Sequence, residues 1–288
     1  MPVARSPFVE IGDRVFVARY PQWDVNVGLV VGDRGALVVD TRSSTASGHE
    51  VVGDIGRLGL TVPVTTVVST HVHFDHTFGN GAFPTATVHA HARVAETFEA
   101  DGQRLKAMAR ADPGDSPELG YTAQDISDLL ASTPRGPDVT FATTATLELG
   151  DRRVELVHAG RGHTDGDIAV HVPDAGVCFL GDLIEQSAHP ALGGDSFPLE
   201  WAATLDGHLA GLHSGLLVPG HGTPVDTAFV QGQRDEMADV ARVVRERHAA
   251  GIPLADAQRQ PDVRLPYPLD DLAAAFARGY DALDTSGR

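Results

Sequence analysis

One cysteine, one lysine and 6% aromatic residues are all that this chain of 288 residues carries of those types. Each scarcity excludes something. With Cys178 alone, no disulfide can form within the chain and no multi-cysteine zinc site can be built. Positive charge is also scarce: 22 Lys+Arg against 39 Asp+Glu leave a net charge of −17. A field of that sign repels phosphate backbones and anionic lipid, so neither nucleic acid nor a membrane surface is an expected partner. Long apolar runs are missing too. No segment approaches the length of a membrane span, and the opening residues lack the continuous apolar stretch of a secretory signal, so a cytoplasmic protein is expected. Wholesale disorder is excluded by 42% hydrophobic and 21% charged residues and a mean hydropathy of −0.09. Lys106 is the one lysine and every other basic residue is arginine, a bias of GC-rich bacterial coding.

The residues that are present fall into two rounds of strands followed by helices. In the first round, β-like runs at 14–20, 26–31 and 36–39 are separated by Gly and Asp turn residues. Residues 44–60 read as a helix with Val51, Ile55 and Leu58 on one face, and 64–68 as a buried strand. A strand at 86–89 and a helix at 92–109 follow, then Pro/Gly/Asp-bearing loops at 112–120 and 132–138. The second round has strands near 146–149, 153–157, 168–172 and 177–180 and a helix opened by Pro198 that presents Leu205, Leu209 and Leu212. A strand at Leu216 and Val218 precedes a long helix starting at Asp226, and an amphipathic helix closes the chain at 269–283. The length suits one compact unit over residues 1–250, with 251–288 as a helical extension packed on it.

Histidine is abundant, 14 in all, and three fall in His71-Val72-His73-Phe74-Asp75-His76. This H-x-H-x-D-H pattern should arise by chance in roughly a few chains per thousand of this length. An apolar strand delivers it, so a loop can turn three imidazoles and a carboxylate inward. Such donors hold zinc, and also iron or manganese. Later strand ends supply more of the same: Gly160-Arg161-Gly162-His163-Thr164-Asp165-Gly166-Asp167, then Gly181-Asp182, then Pro219-Gly220-His221-Gly222. The flanking glycines allow the sharp turns and close backbone approach that aim such side chains.

Together with Asp40 at the end of an early strand, these elements resemble the metallo-β-lactamase superfamily over roughly residues 25–225. The resemblance implies an α+β fold, a four-layer αββα sandwich with a metal centre along one edge, here with extra C-terminal helices. Carried over by position, it puts one metal on His71, His73 and His163 and another on Asp75, His76 and His221, with Asp182 bridging. Asp40 and Asp167 would orient the ligands by hydrogen bonds. His189 and Arg161 are candidates for a substrate pocket. Two zinc ions are the expected cofactor, iron or manganese being alternatives.

The activity so implied is hydrolysis of a small molecule: a di-zinc-bound hydroxide attacks an ester, thioester, lactone or amide carbonyl, with Asp75 and Asp182 in catalytic roles. The alternatives are a mononuclear iron sulfur dioxygenase using the His71, His73 and His163 face, and a non-enzymatic metal-binding sensor. Antibiotic hydrolysis is disfavoured as the main role, because the best-known β-lactamases of the superfamily carry Cys or a non-ligand residue where this chain has Asp182. The remaining histidines, His49, His89, His91, His158, His171, His208, His213 and His248, read as packed or solvated imidazoles, and Cys178 as a buried inert thiol. No P-loop, G-x-S-x-G elbow or G-x-G-x-x-G segment occurs.

Overall fold

The computed structural model describes residues 6–112, 114, 116, 120–211 and 215–286. Strands β1 (Val9–Gly12), β2 (Val15–Arg19), β3 (Asn26–Val31) and β4 (Ala36–Val39) form an antiparallel meander. Helix α1 (Thr45–Gly56) then crosses to β5 (Val64–Val68), which lies parallel to β4. The short α2 (Phe74–Thr77) precedes β6 (Thr87–His91), α3 (Ala92–Ala111), α4 (Ala123–Ala131) and β7 (Val139–Phe141), which completes a seven-stranded sheet in chain order. Strands β8 (Thr144–Glu148), β9 (Arg153–Val157), β10 (Ala169–Val172) and β11 (Val177–Glu185) are antiparallel neighbours. After α5 (Trp201–Gly211), β12 (Leu216–His221) joins them parallel to β11, giving a second sheet in the order β12-β11-β10-β9-β8. Helices α6 (Thr227–Ala249), α7 (Leu254–Ala257) and α8 (Leu269–Ser286) close the chain.

Burial explains the layering. β3 and β4 are buried along their whole length, which a strand tolerates only when both faces of its sheet are covered. Between the sheets, Val15, Val30, Leu37 and Val68 meet Leu156, Val170, Phe179 and Val218. The other face of the first sheet packs Val38, Val67 and Val88 against Val51 and Ile55 of α1. The other face of the second packs Leu180 and Leu183 against Trp201 and Leu205 of α5, Met237 and Val244 of α6 and Phe276 of α8. The order of layers is therefore helix, sheet, sheet, helix. Each fully buried large apolar side chain adds about 1.5–3 kcal/mol to this core.

Several boundaries differ from the sequence expectations. The helix expected over 44–60 stops at Gly56, with Ser44 as its N-cap accepting from the Ser47 amide. A helix, α4, lies between the two expected loops, opened by a Thr122/Asp125 capping box and burying only Ile126 and Leu129. The strand expected to end at Leu180 runs on to Glu185, bulging at Gly181 where φ is +52°. The strand expected over 86–89 runs from Thr87 to His91, so His91 also lies within it. The helix expected to open at Pro198 begins at Trp201. Residues 1–5, 113, 115, 117–119, Leu212 and His213 of the expected features lie outside the described residues. No helix among the described residues is long and apolar enough to cross a membrane.

Candidate metal centre

β4 and β5 end side by side, and the site starts there. Asp40, buried and held at a φ of +62°, accepts from both the amide and the hydroxyl of Thr70 at 2.8 Å. A non-glycine residue in the left-handed region stores strain that surrounding bonds must offset. The same carboxylate pairs with His76 Nδ1 at 2.8 Å, and Thr70 Oγ1 lies 3.1 Å from His71 Nδ1. The ends of two neighbouring strands thus fix two rings.

Every ring of the cluster is anchored through one nitrogen, which leaves the other to point inward. His163 Nδ1 donates to the Ala191 carbonyl at 3.1 Å, and His221 Nδ1 to the Trp23 carbonyl at 2.8 Å. His73 is turned the other way round: Nδ1 faces inward, 2.8 Å from His163 Nε2, and Nε2 is held by Asp195 at 2.8 Å. Asp167 clamps the loop behind His163 by accepting from the Gly162 and Thr164 amides and the Thr164 hydroxyl.

The inward atoms form two groups, His71, His73, His163 and Asp182 in one and Asp75, His76 and His221 in the other, with the atoms of each within 4.8 Å of one another. Asp182 adjoins both. Its Oδ2 is 3.7 Å from His71 Nε2, 3.4 Å from His163 Nε2 and 3.3 Å from His221 Nε2, and its Oδ1 is 3.2 Å from His76 Nε2. Asp75 Oδ2 lies 3.5 Å from both His76 and His221 Nε2. Although buried, His71 Nε2 and Asp182 Oδ1 make no hydrogen bond. Burying such groups unsatisfied is costly, and a cation at their centre removes the cost. Imidazole nitrogens and carboxylate oxygens are also the donor set that zinc, iron and manganese accept, so the residues fit divalent metal.

Electrostatics do not follow this grouping: burial opposes charge on His73, yet Asp195 raises it above the usual imidazole value, while burial holds His71 beside it well below. Burial holds the His163 imidazole down to about 4. Burial also opposes charge on His221, but Asp182 and Asp75 outweigh it and raise that ring to about 10. Asp182 resists protonation: burial favours its neutral form, yet His221, His76 and His71 hold it well below the usual carboxylate range. An ionised carboxylate among imidazoles is the state that binds a cation.

The seven ligand candidates, with Asp40 and Asp167, therefore converge at one edge of the sandwich. His189 and Arg161 do not. His189 is half exposed and pairs with Asp271 of α8 at 2.9 Å. It lines a separate cavity with Tyr267, so no bond ties it to the ligand groups. Arg161 is bound to Glu200 and stacks on Phe197, and so is already engaged as a structural cation. Burial pushes the Cys178 thiol far up, in keeping with an inert sulfur. Asp195 is the residue the sequence reading missed, although Gly193-Gly194-Asp195 repeats the glycine-flanked acid seen at the other site positions.

A family profile described as the metallo-beta-lactamase superfamily matches residues 20–221. The chain belongs to this superfamily. It is 23% identical over 241 residues to a linear primary-alkylsulfatase of Pseudomonas sp., covering 76% of this chain and 44% of that protein. It is 26% identical over 180 residues to an acyl-coenzyme A thioesterase of Homo sapiens, covering 62% of this chain and 61% of the relative. Among solved structures, a sec-alkylsulfatase from Pseudomonas sp. superposes with a TM-score of 0.77 at 18% identity, over 96% of this chain and 50% of that one, a likeness of fold. The chain thus spans roughly half the length of these relatives.

Proposed function

We propose that the protein is a hydrolase of small-molecule esters or thioesters that works with two zinc ions, one in each donor group. The observation that carries this reading is the position of Asp182, one carboxylate within 3.2–3.7 Å of inward nitrogens from both groups. A single-metal oxygenase would leave the second group, Asp75, His76 and His221, without an ion. Two divalent ions there would lower the pKa of a shared water towards roughly 7 and polarise a carbonyl oxygen.

The protein's own residues do the rest. Asp182 spaces the two groups, Asp40 and Asp195 hold rings, and Asp167 holds the loop that carries His163, so that little reorganisation accompanies reaction. Asp75, between His76 and His221, would help to hold the second ion and to orient the attacking water through its carboxylate. The relatives' names support ester chemistry, since one is a thioesterase and others are alkylsulfatases. The net charge of −17 disfavours a nucleic-acid substrate.

The test is metal analysis by mass spectrometry of protein purified without added metal, joined to a hydrolysis panel of thioesters, carboxylic esters, lactones and sulfate esters. About two zinc ions per chain with turnover of an ester or thioester is the expected result. About one iron per chain with dioxygen consumed when a persulfide is added would replace the hydrolase reading with that of an oxygenase.

A further inference from the structure

Beside the three-histidine group lies an open cavity of about 580 Å³. Its lining includes Val72, between His71 and His73 in the chain, and Thr164, next to His163. One wall is the face of α3 that carries Asp101 and Arg104; the other is the 193–197 loop, with Asp195 and Phe197, and Arg278 of α8. None of the ligand candidates lines it, and it adjoins the metal centre through Asp195, which holds the outward nitrogen of His73.

The charges in these walls are unequally matched. Asp195 is bound to His73 and Asp101 to Arg104, while Asp165 has Arg93 at 3.6 Å and Arg161 at 3.8 Å. Arg278 differs from them all. Its one ion pair among the described residues is with the exposed Asp281, at 3.9 Å. Its Nε donates to the Ser196 carbonyl at 3.1 Å, and its guanidinium lies over the Phe197 ring, 5.1 Å from the centroid. The side chain is thus pre-oriented by a backbone bond and a ring, and its charge is left largely without a counter-ion, in a protein short of cations.

We propose that this cavity is a specificity subsite for an oxyanion carried by the substrate at a distance from the scissile bond, and that Arg278 is the residue that binds it, with Arg104 across the cavity as a weaker second cation. This deepens the ester hydrolase reading above and rests on it for the identity of the reacting group. The chemistry is that of a carboxylate, sulfonate or phosphate, each able to accept two guanidinium hydrogen bonds.

The decisive variant is Arg278→Gln, which keeps a donor for the Ser196 carbonyl and removes the charge. Two esters are compared: 4-nitrophenyl hydrogen glutarate, which carries a distal carboxylate, and neutral 4-nitrophenyl hexanoate. Arg278→Gln should cut kcat/KM on the acidic ester about tenfold, through KM, and leave the neutral ester within about twofold. Arg278→Lys should recover part of the loss. Equal losses on both esters, or none on either, would overturn the subsite.

A second measurement does not depend on hydrolysis. Hexanoate, hexanesulfonate and hexyl phosphate are titrated by calorimetry into metal-stripped wild-type protein and into Arg278→Gln. Binding of any of them that the variant weakens about tenfold supports the subsite and identifies the head group. Binding that is absent, or that the variant does not change, rejects it. If the wild type hydrolyses neither ester, the hydrolase reading fails by itself, and the titration alone decides the subsite.

Discussion

Two sets of histidines sit in this molecule, and they make a natural contrast. At the candidate metal centre, His71, His73, His76, His163 and His221 surround Asp182, and three of them are anchored on the outside by Asp40, Thr70 or Asp195. A second set lies away from it. His91 and His158 stack at 4.0 Å, each donating to a backbone carbonyl, of Ala142 and Asp167. His171 Nε2 and both nitrogens of His208 are buried without a hydrogen bond. No carboxylate forms an ion pair with these four rings among the described residues, and burial keeps His91, His171 and His208 below the ordinary imidazole value. Imidazole density alone therefore does not make a metal site. What sets the candidate centre apart is an ionised carboxylate among the rings, since backbone carbonyls anchor rings in both sets.

Substitutions in each set test the contrast. The largest effect should follow His163→Ala, which removes an inward ligand of the three-histidine group: metal content should fall from about two ions to about one, and hydrolysis by more than about 100-fold, since losing a ligand exceeds losing its support. His171→Ala, in the other set, should leave the metal content unchanged; a loss of metal there would erase the distinction.

Asp195→Ala should be next, weakening metal at the three-histidine group about 10–100-fold in a chelator competition. Asp195→Asn, which keeps a partner for His73 Nε2, should weaken it less. Unaltered affinity in Asp195→Ala would leave that carboxylate without an orienting role.

The smallest effect belongs to His208, which burial pushes down to about 3. The sign follows from linkage. The folded protein holds this ring neutral, so its contribution to stability is complete above the ordinary imidazole value of about 6.5 and is lost as the pH falls from there towards 3. Between pH 7 and 5.5 the loss should be roughly 1 kcal/mol. His208→Leu, which cannot take up a proton, should lose that much less over the same interval in denaturant titrations. Identical pH slopes in the two proteins would show that the ring is not held neutral.

Much of this organisation could be read from the chain, for identifiable reasons. β3, β4 and β5 were legible because two covered faces demand runs such as Asn26–Val31 and Ala36–Val39. The ligand candidates were legible because six of the seven lie where an apolar run gives way to polar residues beside glycine or within one dense motif. Asp182 was found through the Gly181-Asp182 pair, though it sits inside β11 rather than after it. The exposed strands β1 and β7 and the mostly polar α4 carry little apolar periodicity and were missed. Asp195 was missed because its partner His73 is 122 residues away, a distance that no local pattern reports. His189 and Arg161 misled because proximity along the chain to Asp182 and His163 says nothing about which way a side chain turns.

Two glycines decide how far this sequence can drift. A methyl group at Gly181 would sit 2.7 Å from Thr70 Oγ1, the hydroxyl shared by Asp40 and His71, and one at Gly220 would sit 1.8 Å from Asp182 Oδ1. Neither position holds a ligand, yet any side chain there would displace a ligand or the residue that aims one. Gradual divergence can rework α4 or the exposed edge strands at little cost, whereas the simplest exchange, glycine to alanine, is closed at both of these points. In descendants of this chain, inheritance of the candidate metal centre should therefore be guarded as firmly by two residues with no side chain as by the seven ligand candidates.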